Sequence, residues 1–151
     1  MKGFSLIEAL VSVAIMSFIV LAIFGVLNLG NLSYRTDIAL LELQDNARIS
    51  TEWMVREIRE GAPSTINISP DATRITFDTP NETGIAYYLD SGNNRIIRRF
   101  PANTTRIIAN NIVSLNFSLN GNLLGIQVTA RRADRPDLSF FLREQVRLRN
   151  E

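Results

Sequence analysis

The chain has 151 residues, 16 Lys and Arg against 15 Asp and Glu, a formal net charge of +1, and neither histidine nor cysteine. Such a length is about one domain's worth, and the even charge lacks the basic excess of a nucleic-acid-binding protein. Without cysteine there are no disulfides, cysteine nucleophiles or cysteine metal sites, and without histidine the commonest general base and metal ligand is missing.

The apolar residues are unevenly spread. The chain opens MKGFSLIEALVSVAIMSFIVLAIFGVL, and from Ala9 to Leu29 it carries no charge. As a helix that run is about 32 Å long at ~1.5 Å per residue, against a bilayer hydrocarbon core of about 30 Å. The first fifth of the chain is therefore long enough to span a membrane, and the rest must supply a water-soluble domain. Close to its start sits Glu8. A charge at bilayer depth costs about 2.5–3.5 kcal/mol on insertion scales, so it needs a partner or a job. A cleavable secretory leader would have a shorter apolar core followed by a small-residue cleavage site, which this run lacks. A signal anchor fits the length and puts Lys2 on the cytoplasmic side, but has no use for Glu8. Gly25 and Gly30 interrupt the run. Each costs a helix interior about 1 kcal/mol relative to alanine, so Gly25 marks either a point of helix softening or a site of close helix packing.

Beyond the apolar run the helical period continues. Leu40, Leu43, Ala47, Ser50, Met54 and Ile58 recur at spacings of three and four, and Arg48, Glu52, Arg56 and Glu60 alternate in sign on the other face. Gly61-Ala62-Pro63 is a stop signal. The expected helix, from Phe4 to Glu60, is roughly 85 Å long; its first half is apolar all round, and its amphipathic second half should lie on a folded domain. From Pro63 the period becomes two. Ile75 and Phe77 alternate with polar neighbours, as do Ile85, Tyr87 and Leu89, and Ser91–Asn94 reads as a turn into RIIRRF. Val113, Leu115, Phe117 and Leu119 form one apolar face, Asn120-Gly121 a hairpin turn, and Leu124, Ile126, Val128 and Ala130 the returning face. Leu138, Phe140 and Leu142 begin a last strand. An antiparallel sheet with one apolar face and a helix with one apolar face bury each other, which makes the fold class α+β.

The stretch Lys2-Gly3-Phe4-Ser5-Leu6-Ile7-Glu8, followed by the apolar run, resembles the processing site of type IV pilins and type II secretion pseudopilins. The resemblance implies a leader of residues 1–3, cut after Gly3 by a prepilin peptidase that also methylates the new amine of Phe4. It implies a transmembrane and filament-core helix over 4–30 and a globular domain over 31–151. It gives Glu8 an assembly role: the carboxylate of one subunit pairs with the Phe4 amine of a neighbour, so that two poorly solvated charges neutralise each other. The competing reading is that Glu8 snorkels to water. Family members often have a proline near the position of Gly25, where this chain has glycine, and many carry a C-terminal disulfide that this chain cannot form. Loose likenesses in ITFDT, AYYLD and IANNIVSLNFSLNGN point to J-type minor pseudopilins and W-type minor pilins alike. The implied partners are other pilin or pseudopilin subunits, the processing peptidase, an inner-membrane assembly platform and the bacterial inner membrane, with the domain in the periplasm or in a cell-surface filament.

Little else suggests chemistry. No nucleophile elbow or phosphate-cradling glycine loop is present, and no catalytic residue, cofactor or metal site is expected. Asp71, Asp78, Glu82 and Asp90 fall in turns or at strand ends, and Asp90–Asn94 lacks calcium-loop spacing. The arginine clusters Arg98-Arg99 and Arg131-Arg132 with Arg135 raise contact with DNA in an uptake system, although interspersed acids favour the solvated face of an edge strand. The preferred expectation is a non-enzymatic minor pseudopilin or minor pilin, placed at or near the filament tip. Its rival is a signal-anchored periplasmic binding domain that never polymerises.

Overall fold

The computed structural model describes residues 5–101 and 104–148. A single helix, α1, runs from Leu6 to Glu60, and the chain divides into two compact units at the Ile38–Ala39 junction. In the first unit the large apolar residues from Leu6 to Ile38 are all exposed. By length and composition this stretch is able to cross a membrane. Its hydroxyls are turned back on the helix: Ser12 donates to the Glu8 carbonyl at 2.8 Å and Ser17 to that of Val13 at 2.8 Å. That satisfies polar groups where hydrocarbon offers no partner. The helix is continuous through Gly25 and Gly30.

In the second unit α1 turns one stripe inward: Ala39, Leu43, Ala47, Ser50, Thr51, Met54 and Ile58. Two of these are polar. Both hydroxyls donate to the Ala47 carbonyl, at 2.9 and 2.8 Å, so neither is buried unpaired. On the outer face Arg48 pairs with Glu52 at 3.7 Å, whereas Arg56 lies over the Trp53 ring at 4.3 Å. The helix ends at Glu60 as the stop signal predicts. Glycine fits closely there: a Cβ at position 61 would lie 3.0 Å from the Phe77 ring and 3.2 Å from the Ile58 carbonyl, tight enough that its neighbours would have to shift.

A short 3₁₀ turn, Pro63–Thr65, leads into the strands β1 Asn67–Ile68, β2 Arg74–Phe77, β3 Ile85–Asp90, β4 Arg95–Arg99, β5 Thr105–Asn110, β6 Ile112–Asn120, β7 Leu123–Arg131 and β8 Ser139–Arg147. All the pairings are antiparallel. Among the described residues they make two sheets, β1-β2-β3-β4-β5 and β6-β7-β8, where periodicity suggested one. The chain passes between them at Asn111, whose φ of 61° lies in the left-handed region that asparagine tolerates better than most residues. The Ile112 amide then donates to the Asn94 carbonyl at 2.9 Å, and the Phe117 amide to that of Ala72 at 2.8 Å. These bonds tie β6 to loops of the first sheet.

Two local readings shift by one residue. The β6–β7 register slips between Ile112 and Ser114, so Val113 is the extra residue of a bulge and Ile112 takes the buried place instead. The hairpin turn is Gly121-Asn122, closed by the Asn120–Leu123 pair. Gly121 has a φ of 58°, and glycine at the first central position suits a turn that needs positive φ there. One core results: Leu43, Met54 and Ile58 of α1, Ile75, Phe77, Ile85, Tyr87 and Ile96 of the first sheet, and Leu115, Phe117, Leu124, Ile126, Val128 and Val146 of the second. The architecture is therefore α+β and pilin-like, a long helix packed on antiparallel sheets.

Candidate functional site

Gly3 and Phe4 lie outside the described residues, so the processing site itself has no geometry here. Glu8 does. It sits in the first turn of α1, and its Oε2 accepts a hydrogen bond from the Ser5 amide at 2.9 Å. The Glu8 amide donates back to Ser5 Oγ at 3.3 Å. Together they form a reciprocal capping box, in which two otherwise orphaned N–H groups at a helix start are satisfied. Sequence reasoning gave Glu8 a job between subunits and overlooked this one within its own chain. The signal was legible: serine, two residues, then glutamate, at the head of an apolar run. A carboxylate in the first turn also lies at the positive end of the helix dipole, where its charge is favoured.

A second constellation was not anticipated. Within β4, Arg98 shares the inward face with Ile96 and is only 5% exposed. Its Nε donates to both oxygens of Glu57, at 2.8 and 3.1 Å, and its Nη2 to Glu82 at 2.7 Å. The Tyr87 hydroxyl donates to Glu57 at 2.8 Å, and the guanidinium lies 3.8 Å over the Phe100 ring. This cluster fastens the last turns of α1 to β3, to β4 and to the β2–β3 connection. A cavity of about 150 Å³ adjoins it, lined by residues that include Thr79, Asn81 and Glu82. Glu57 is engaged by both Arg98 and Tyr87, so the cluster ties α1 to the sheet.

Its electrostatics follow from that packing. Burial works against the Arg98 charge, but hydrogen bonds to Glu57 and Glu82 outweigh it and hold the guanidinium pKa above its usual value. Burial, reinforced by the bond to Glu57, pushes the Tyr87 hydroxyl well above the ordinary tyrosine range. In an unfolded chain the same hydroxyl ionises near pH 10. Above that pH the folded state keeps a proton that the unfolded state loses, so stability should fall as pH rises past about 10. Urea midpoints measured from pH 8 to 11.5 should show this decline, and Tyr87→Phe should flatten it. An equally steep decline in Tyr87→Phe would assign the alkaline sensitivity elsewhere.

Two arginines of the second cluster are paired with acids. Arg132 pairs with Asp134 at 2.8 Å and with Glu42 at 3.1 Å, and Arg135 with Asp137 at 3.5 Å. Arg98, which with Arg99 makes up the first cluster, lies inside the domain. An open groove of about 600 Å³ between α1 and β8, lined by Glu52, Val55, Arg56, Arg59, Glu60 and Arg147, mixes both signs of charge. Among the described residues no three acidic side chains converge to hold a metal ion.

Against known proteins, residues 1–24 match the family described as the prokaryotic N-terminal methylation motif. The matched stretch contains Gly3, Phe4 and Glu8, and the match supports the type IV pilin and pseudopilin family. No curated protein and no solved structure matches the chain.

Proposed function

We propose that the chain is the precursor of a minor pseudopilin or minor pilin, a structural subunit without catalytic activity of its own. Prepilin peptidase cleaves it after Gly3, its Phe4 amine is methylated, and it enters a type II secretion pseudopilus or type IV pilus at or near the tip. The observation that carries this reading is the methylation motif over residues 1–24 leading directly into an exposed apolar helix ahead of an α+β domain. A plain anchor accounts for the helix and leaves the motif without a purpose.

In this reading residues 4–30 lie first in the bacterial inner membrane and then in the filament core, and residues 31–151 form the periplasmic domain. Glu8 accepts the charge of a neighbouring subunit's Phe4 amine. Removing one member of such a poorly solvated pair strands the other at a cost of several kcal/mol, so the pair favours one stagger between subunits. Gly25 provides a point where the helix softens on assembly. The partners are other subunits of the filament, the peptidase and the inner-membrane assembly platform.

N-terminal mass spectrometry of membrane-extracted protein tests the proposal directly. The expected mature chain begins at methylated Phe4; an intact Met1, or a cut elsewhere, returns the chain to the class of signal-anchored periplasmic domains. Gly3→Leu should accumulate as uncleaved precursor, because a side chain at the residue before the cut obstructs a pocket shaped for glycine. Maturation of Gly3→Leu at the wild-type rate would remove the leader assignment.

A further inference from the structure

We propose that β8 is a docking edge, to which an extended, acid-bearing segment of a different polypeptide adds as a further strand. Every residue involved lies in the globular unit, so the edge is available whether or not the leader is cut. The four sheet edges are not alike. β1 is only two residues long. β5 runs along β4 with a register shift between Ile96 and Ile97. β6 is interrupted by the bulge at Val113 and bonded to loops of the first sheet through the Ile112 and Phe117 amides. Short strands, bulges and covered edges are the usual protections against pairing with another chain. β8 lacks them. Its nine residues, Ser139–Arg147, contain no proline, keep an unbroken register with β7, and pair with no other strand among the described residues.

The side chains of β8 decide what can pair with it. One face of the strand presents Phe141, Arg143, Gln145 and Arg147, all exposed. Across from them on β7 stand Thr129, Gln127, Gly125 and Leu123, and neither arginine forms an ion pair among the described residues. A second copy of β8 is a poor match. Antiparallel pairing over all nine residues centres on Arg143 and sets it against itself. Sliding by one residue sets Glu144 against Glu144 in one direction and against Phe140 in the other. Like charges directly opposite each other are destabilising, whereas opposite charges attract. A strand with two carboxylates four residues apart on one face meets Arg143 and Arg147 together, whichever way it runs. Its other face enters the groove of about 600 Å³ between α1 and β8 and an adjoining one of about 280 Å³, where Val55 and Leu142 supply apolar lining. In such strand addition the main chain gives affinity and alternate side chains give choice of partner.

The test uses the full-length chain in detergent micelles and the fluorescence anisotropy of three labelled peptides as long as β8. The first alternates valine with polar residues and carries two glutamates four places apart on its polar face. The second has lysines in their place. The third is the glutamate peptide with N-methylated amides, which keeps the charge and loses the backbone donors. The glutamate peptide should bind, and the lysine peptide at least about tenfold more weakly, two cross-strand attractions having become repulsions. N-methylation should abolish binding. In Arg143→Glu/Arg147→Glu the preference should reverse; both side chains are exposed, so the fold is kept. Equal binding of the glutamate and lysine peptides, undiminished binding of the N-methylated one, or no binding by any of the three would overturn the proposal. So would homodimers trapped by a bifunctional maleimide at Gln145→Cys, the single thiol in a chain otherwise without cysteine, because a second copy would then occupy the edge.

Discussion

Arg98→Met should destabilise the globular unit by roughly 3–5 kcal/mol, the usual consequence of removing one partner from a buried ion pair. Most of the loss should come through Glu57, whose side chain is only 16% exposed and would be left charged with Tyr87 as its remaining partner. Glu82 is 38% exposed, so water takes over much of its solvation. The fragment 31–151 is suited to the measurement, and urea unfolding followed by circular dichroism should show a lower midpoint with little change in slope. Arg98→Lys should fall between the two, since an ammonium keeps the charge without the planar fork that engages both carboxylates. The double variant Arg98→Met/Glu57→Leu should recover a large part of the loss, because apolar replacement of a whole buried pair is often close to neutral. If Arg98→Met unfolds at the wild-type midpoint, the cluster does not hold α1 to the sheets in solution.

At the other end of α1 the largest effect expected is on assembly and not on stability. Glu8→Ala should insert into the membrane at least as well as the wild type, since a costly charge is gone, and the cut after Gly3 should proceed. Crosslinking to neighbouring subunits should drop by more than about tenfold, the neighbour's amine then facing an apolar core unpaired. Glu8→Gln separates the helix cap from the assembly role proposed for this residue. Glutamine also completes a capping box, so the variant keeps the helix start and loses only the charge; failure to crosslink as severe as that of Glu8→Ala would assign assembly to the charge itself. Wild-type crosslinking in both variants would make Glu8 a residue that caps its own helix and nothing more.

Much of this chain is local in origin and therefore legible in the residues alone. The uncharged run from Ala9 to Leu29, the motif around Gly3, Phe4 and Glu8, the inward stripe of Leu43, Ala47, Ser50, Met54 and Ile58, and the stop at Gly61 are all set by neighbours within a few positions. So is the Ser5–Glu8 box, whose serine and glutamate stand three positions apart at the helix start. The alternation in β2, β3 and β7 was equally plain, because period two reports which side chains share a face.

What periodicity does not report is which element covers a face, and here tertiary structure decided. Arg98 alternates with its neighbours like any strand residue, yet it is buried because Glu57, far away on α1, and Glu82, in a loop, meet it there. The two-residue β1 holds its place through pairing with β2, and β5 through pairing with β4, more than through any pattern of their own. The division into two sheets depends on one residue, Asn111, entering a left-handed conformation, and the bulge at Val113 moves Ile112 into the core in its place. Each of these outcomes balances a small local cost against long-range burial and hydrogen bonding. Neighbours in sequence carry the cost, but only the folded chain supplies what offsets it.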